Sequence, residues 1–252
     1  MCLLALAWRC DPRSPLVLIG NRDERYERPS SAAARWDEAP QVLGGRDLEY
    51  GGTWLGVSEA GRLAAVTNVR VLQPPDEDRA SRGLLTARFL AGEIDLAGLQ
   101  ALEPDAFRPF NLIAIEGWDA LVLSNQPPLR RSLEPGLHGL SNGAPDAPWP
   151  KVRRAEAALS DWLAGEGDDP EPLFRVLADE TPAPDKDLPD TGVGLERERQ
   201  LSPCFLRGEV YGTRCSTVIR IDASGQGIVV ERRFGPGGAP AGETRLPFQW
   251  PV

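Results

Sequence analysis

The sequence predicts an α+β protein, a four-layer αββα sandwich in which two antiparallel sheets stack and helices cover their outer faces. Three observations carry this expectation. Short apolar runs alternate in blocks with segments of helical spacing, in the order strands, two helices, strands, two helices, strands. The strand runs are continuously apolar rather than alternating, as in sheets covered on both faces. At 252 residues and 41% hydrophobic content the chain can build one large core, and no repeat or low-complexity tract divides it, so residues 1–252 read as a single domain.

Leu3–Trp8 and Leu16–Ile19 flank a turn-forming segment, Cys10-Asp11-Pro12-Arg13-Ser14-Pro15, which predicts a pair of antiparallel strands. The charged tetrad Asn21-Arg22-Asp23-Glu24 is read as the end of the second strand. Thr53–Ser58 and Arg62–Val69 form a second hairpin around Gly61, where a left-handed residue is needed. Helical spacing follows over 79–91 and 96–107, punctuated by Gly92. Asn111–Ile115 and Ala120–Ser124 predict a hairpin around Gly117, and Leu137–Asn142 a short strand. Pro150 opens a helix with Val152, Ala155, Leu159 and Trp162 on one stripe, and 172–178 predicts its partner. Residues 181–195, rich in Pro and Asp, read as an exposed loop. Strands resume over 213–221, 227–233 and 244–248.

A net charge of −9 argues against nucleic acid, which requires a basic face. The N-terminal apolar stretch breaks at Arg9, Asp11 and Pro12, too soon for a signal-peptide core or a membrane span, so no stable membrane insertion is expected and the location read from this is cytoplasmic. Cysteines at 2, 10, 204 and 215 and a lone His138 lack metal-ligand spacing, and neither a metal nor a cofactor is expected. In a reducing compartment the four thiols would be free. The cations are nearly all arginine, with Lys only at 151 and 186, and arginine forks suit carboxylates and phosphates.

Cys2 is the foremost catalytic candidate. Loss of Met1 would give one residue both a thiol and an α-amine, with ordinary pKa values of about 8.5 and about 7.7–8.0, so nucleophile and base would share a residue. The competing reading is a small buried cysteine with no chemistry. Antiparallel pairing brings the tetrad toward Cys2, where Arg22 would lower the thiol pKa and Asp23 would orient the α-ammonium. Asn68 and Asn142 sit at strand ends, where an amide can donate to a developing oxyanion or serve as an ordinary turn residue. Arg214, in Tyr211-Gly212-Thr213-Arg214-Cys215-Ser216-Thr217, is a candidate for binding a substrate carboxylate or for pairing with an acid. Gly51-Gly52-Thr53-Trp54-Leu55-Gly56 permits close backbone approach and does not match a phosphate loop. His138 reads as a loop residue.

Met1-Cys2, Asn21-Arg22-Asp23-Glu24, Gly51-Gly52-Thr53-Trp54-Leu55-Gly56, Thr67-Asn68, Phe110-Asn111-Leu112, Leu140-Ser141-Asn142 and Tyr211-Gly212-Thr213-Arg214 together resemble the NRDE family, also called the transport and Golgi organisation protein 2 family. The resemblance implies an N-terminal nucleophile hydrolase-like fold, similar to the choloylglycine hydrolase and penicillin V acylase group. By it, Cys2 matches the nucleophile, Asp23 the acid near its amine, Asn68 and Asn142 the oxyanion residues, and Arg214 an active-site arginine. One departure is that those hydrolases place an Arg several residues before the Asp, whereas here Arg22 adjoins Asp23. Two functions follow as expectations. One is a cysteine-dependent amidohydrolase or acyltransferase acting on a small amide or thioester. The other is a non-enzymatic carrier of haem or an acyl lipid, with Cys2 or His138 as a contact and the seven Trp residues available to line a cavity.

Overall fold

A computed structural model of the chain describes residues 3–72, 78–165 and 168–251. Cys2 therefore lies outside the described residues. Among the described residues, thirteen strands form two sheets. The six-stranded sheet has the order β10 (Gly136–Leu140), β1 (Leu3–Trp8), β2 (Leu16–Arg25), β11 (Tyr211–Ile221), β12 (Gln226–Phe234), β13 (Pro240–Gln249). The seven-stranded sheet is a meander in chain order: β3 (Ser30–Arg35), β4 (Val42–Asp47), β5 (Leu55–Ser58), β6 (Arg62–Asn68), β7 (Phe110–Glu116), β8 (Asp119–Asn125), β9 (Pro128–Ser132). Every strand pair is antiparallel.

Strand alternation divides the apolar runs between layers. Leu4, Leu6, Trp8, Leu16 and Leu18 face the second sheet and join Leu55, Leu63 and Ile113 in the central core. Leu3, Ala5, Ala7, Val17 and Ile19 face outward, where α3 (Pro150–Ala164) and α4 (Glu171–Leu177) cover them with Val152, Leu159 and Phe174. On the other side α1 (Arg82–Ala91) and α2 (Leu96–Ala101) place Leu85, Phe89 and Leu99 over Ala64, Leu112 and Ala114. Three stacked cores separate four layers, and the expected αββα sandwich is the fold.

Turns follow their sequence signals. Gly92 ends α1 at φ +86°, with its N–H bonded to Phe89 O. Gly52 contributes a close approach: a Cβ there would lie 2.3 Å from the backbone carbon of Gly83, in the first turn of α1. The observed elements exceed the expected ones in β3, β4, β9 and α5 (Leu195–Leu201). The charged tetrad lies at the end of the second strand, as expected, and the strand runs one residue beyond it to Arg25. No helix among the described residues is long and apolar enough to cross a membrane.

Candidate functional site

Asn21, Arg22 and Asp23 are buried within β2, at 0%, 4% and 2% exposure. Asn21 faces the helices. Its Nδ2 donates to Leu177 O and Cys204 O, both at 2.8 Å, and its Oδ1 accepts from Ser216 Oγ at 2.7 Å. It is therefore an anchor of the outer layer. Asp23, also on the outer side, accepts at Oδ1 from Thr213 Oγ1 at 2.7 Å, while Thr213 Oγ1 accepts from the Leu206 N–H at 2.9 Å. Arg22 points the opposite way, between the sheets, with its guanidinium 4.3 Å above the Trp54 ring.

The two asparagines come from different sheets and are clamped together. Asn142 follows the end of β10, and its Nδ2 donates to Asn68 O at 2.9 Å, while the Arg70 N–H donates to Asn142 O at 2.7 Å. The loop carrying Asn142 is pinned by fully buried Asn111, whose Nδ2 lies within 2.8 Å of Gly143 O, 3.2 Å of Thr67 Oγ1 and 3.4 Å of Ser141 O. The Asn68 side chain has no hydrogen-bond partner among the described residues, so its amide is available to a ligand.

Asp23, Asn68 and Asn142 line one cavity of about 460 Å³. Its lining residues Asp23 and Asn142 lie two positions beyond Asn21 and Leu140, which pair with Leu3 and Leu4 at the start of β1. Its wall is strongly cationic, with Arg28, Arg70, Arg82, Arg108, Lys151 and Arg197 set against Asp23 and Glu24. Arg28 is neutralised by Asp47 at 2.5 Å and Glu24 at 3.4 Å, and Arg70 by Glu198 at 2.8 Å. Lys151, 2% exposed, donates to the Leu201 carbonyl at 3.1 Å. Arg22 lines an adjoining recess of about 60 Å³ that also contains Asn68.

Three of the six candidate residues thus share a cavity, and Arg22 reaches its neighbour. Arg214 lines neither. It is the extra residue of a β-bulge, and its guanidinium donates to Arg25 O at 2.7 Å and Arg28 O at 3.0 Å. His138 is a strand residue of β10 rather than a loop residue, paired with Leu6, and does not line the cavity. Its Nε2 lies 2.8 Å from Glu134 O and its Nδ1 3.6 Å from Asp146.

Burial pushes Cys204 up to about 12, and it raises Cys215 and Cys10 as well. Sequence reading did not single out Lys151, Arg108 or Thr213 as site residues. Lys151 had a usable signal, being one of two lysines and lying just after the helix-opening Pro150.

The family model described as Transport and Golgi organisation 2 matches residues 1–236. The mouse Transport and Golgi organization 2 homolog is 33% identical to this chain over 269 residues, covering 92% of each protein. The human Transport and Golgi organization protein 2 homolog is 34% identical over 269 residues, with the same coverage. Among solved structures, the C2A mutant of conjugated bile acid hydrolase from Clostridium perfringens is similar at a TM-score of 0.53 and 10% identity, covering 98% of this chain and 92% of that chain. At that identity the likeness is one of fold.

Proposed function

Since the chain belongs to the Transport and Golgi organisation 2 family and has an N-terminal nucleophile hydrolase-like fold, we propose that it is a cysteine-dependent amidohydrolase or acyltransferase acting on a small amide or thioester. The observation that carries the proposal is the convergence of Asp23, Asn68 and Asn142, from β2, β6 and the end of β10, on one cavity beside the start of β1. Leu3, the first described residue of β1, opposes Asn21. Burial raises the pKa of the three described thiols, Cys10, Cys204 and Cys215, and in this reading Cys2 is the nucleophile.

In this mechanism, loss of Met1 frees the Cys2 α-amine, and Asp23 orients it. The amine takes the thiol proton as sulfur attacks the substrate carbonyl and the S–C bond forms. Asn68 and Asn142 donate to the oxyanion of the tetrahedral intermediate. As that intermediate collapses, the C–N or C–S bond breaks and the α-ammonium returns the proton to the leaving amine or thiol. Water, or an acceptor amine, then releases the acyl group from sulfur. Arg22 contributes positive potential from the adjoining recess.

The test is incubation of Met1-processed protein with a panel of acyl amides and acyl thioesters, read by intact mass. An acyl adduct on Cys2, absent in Cys2→Ala, is expected. Turnover that persists unchanged in Cys2→Ala would overturn the proposal.

A further inference from the structure

A second cavity lies on the opposite side of β2 from Asp23, and its lining differs in kind. It measures about 140 Å³ and is lined by Arg22, Arg214, Arg233, Glu231, Ser30 and Ser31, among others. Arg22 Nη1 and Arg233 Nε are buried without a hydrogen-bond partner. Arg214 bonds only backbone carbonyls and Ser30 Oγ, the latter at 3.3 Å. Among the described residues, none of the three guanidiniums forms a salt bridge, and the carboxylates that act on Arg22 and Arg233 through space are Asp47 and Glu231.

The one acid in the cavity is a weak counterion. Glu231 is 2% exposed, its Oε1 is occupied by the Ala33 N–H at 2.8 Å, and burial favours its neutral form. Three arginines therefore converge with little negative charge to meet them, in a protein whose net charge is −9. An unpaired buried guanidinium is costly, by several kcal/mol in general, and a charge-assisted bond to an oxyanion is the usual remedy. The volume exceeds the share of one water, about 30 Å³, several-fold, enough for a tetrahedral or planar oxyanion. Ser30 and Ser31 supply hydroxyl donors of the kind such an ion accepts from.

We propose that this cavity is a binding site for a small oxyanion, a phosphoryl or carboxylate group, held by Arg22, Arg233 and Arg214 against the Ser30–Ser31 edge. The site shares no lining residue with the cavity of Asp23, Asn68 and Asn142, although Arg22 also lines the recess adjoining that cavity, and it does not depend on the hydrolase reading.

Isothermal titration of the full chain with inorganic phosphate and, separately, acetate, against chloride at matched ionic strength, tests it. Saturable binding of one or both is expected, and which ion binds distinguishes a phosphoryl ligand from a carboxylate. Arg233→Met should weaken binding at least tenfold, and Arg233→Lys, which keeps the charge, should weaken it less. Glu231→Gln keeps an oxygen for the Ala33 N–H but cannot ionise, and should bind at least as tightly as wild type. Cys2→Ala should bind unchanged, so this proposal and the hydrolase proposal fail separately. Absence of binding beyond the chloride control, or binding unaltered in Arg233→Met, would overturn the inference.

Discussion

Thr213→Val removes one hydroxyl and isolates what that hydroxyl does. Thr213 is fully buried, donates to Asp23 Oδ1 at 2.7 Å and accepts from the Leu206 N–H at 2.9 Å. Valine matches the shape, so little packing changes, but a buried carboxylate oxygen and a buried amide each lose a partner. A hydrogen bond to a charged group contributes about 1.5–3 kcal/mol, and an orphaned buried amide costs about 1 kcal/mol or more, giving a loss of about 3 kcal/mol. For a domain of this size that corresponds to about 6–12 °C in Tm, at about 2–4 °C per kcal/mol. Urea denaturation and a thermal scan on the same samples measure it. Thr213→Ser keeps the hydroxyl and gives up one methyl, so its loss should stay near about 1 kcal/mol. If Val is within about 0.5 kcal/mol of wild type, or Ser is as damaging as Val, the hydroxyl does not hold Asp23 and the argument fails.

Other substitutions probe the frame around the site. Arg62 grips Glu116 through Nε at 2.9 Å and Nη2 at 2.6 Å, and Glu116 in turn accepts from the Leu96 N–H at the start of α2, at 3.1 Å. Arg62→Met should cost about 2–3 kcal/mol in chemical denaturation, and a double-mutant cycle with Glu116→Gln should show coupling near about 1 kcal/mol. An additive cycle would count against it. Gly52→Ala drives a methyl to 2.3 Å from Gly83, so an overpacking loss of about 1–3 kcal/mol is expected, and an unchanged Tm would show that α1 yields freely. His138 is raised above its ordinary pKa: burial opposes its charge, but the Asp146 carboxylate and the Glu134 carbonyl outweigh it. Its protonated form is thus favoured on folding, and the stability it gives is present below the unfolded pKa of about 6.5 and fades as pH rises through the folded value. His138→Gln should therefore cost more stability at pH 5.5 than at pH 8, and equal losses at both would refute the assignment.

What the sequence disclosed tracks where local chemistry agrees with tertiary structure. The β1–β2 and β6–β7 regions were legible because both faces are buried and the runs are uniformly apolar. β4 was not, because its centre is Gly44 and Gly45, which weaken a strand signal. They are there for closeness: a Cβ on Gly44 would meet Leu55 O at 2.7 Å, and one on Gly45 would meet the Trp54 ring at 2.4 Å. β3 and β9 carry serines, alanines and arginines, since edge strands have less to bury. α5 has no apolar stripe. Its buried residue is Glu198, held by Arg70 at 2.8 Å and Thr191 Oγ1 at 2.5 Å, partners that no local window contains. In the site, Asn68 and Asn142 were visible at strand ends, but their clamp joins two sheets and depends on the fold alone.

The division of labour within the tetrad rests on one inserted residue. Asp23 pairs with Thr213 and Arg22 with Cys215, so Arg214 has no opposite number in β2. Without the bulge, Thr213 and Cys215, two apart, would project from the same face, whereas their partners Asp23 and Arg22 are adjacent and project from opposite faces. The bulge shifts the phase of β11 by one. Thr213 can then turn outward to hold Asp23 in the helix-side cavity, while Cys215 turns inward beside Glu231 and Arg22. Arg214, freed from the ladder, fastens the β2–β3 connection through Arg25 O and Arg28 O and the start of β3 through Ser30 Oγ. Arg214 therefore acts through its place in the chain: the phase shift it creates lets Thr213 and Cys215, two apart in β11, project from opposite faces to meet Asp23 and Arg22.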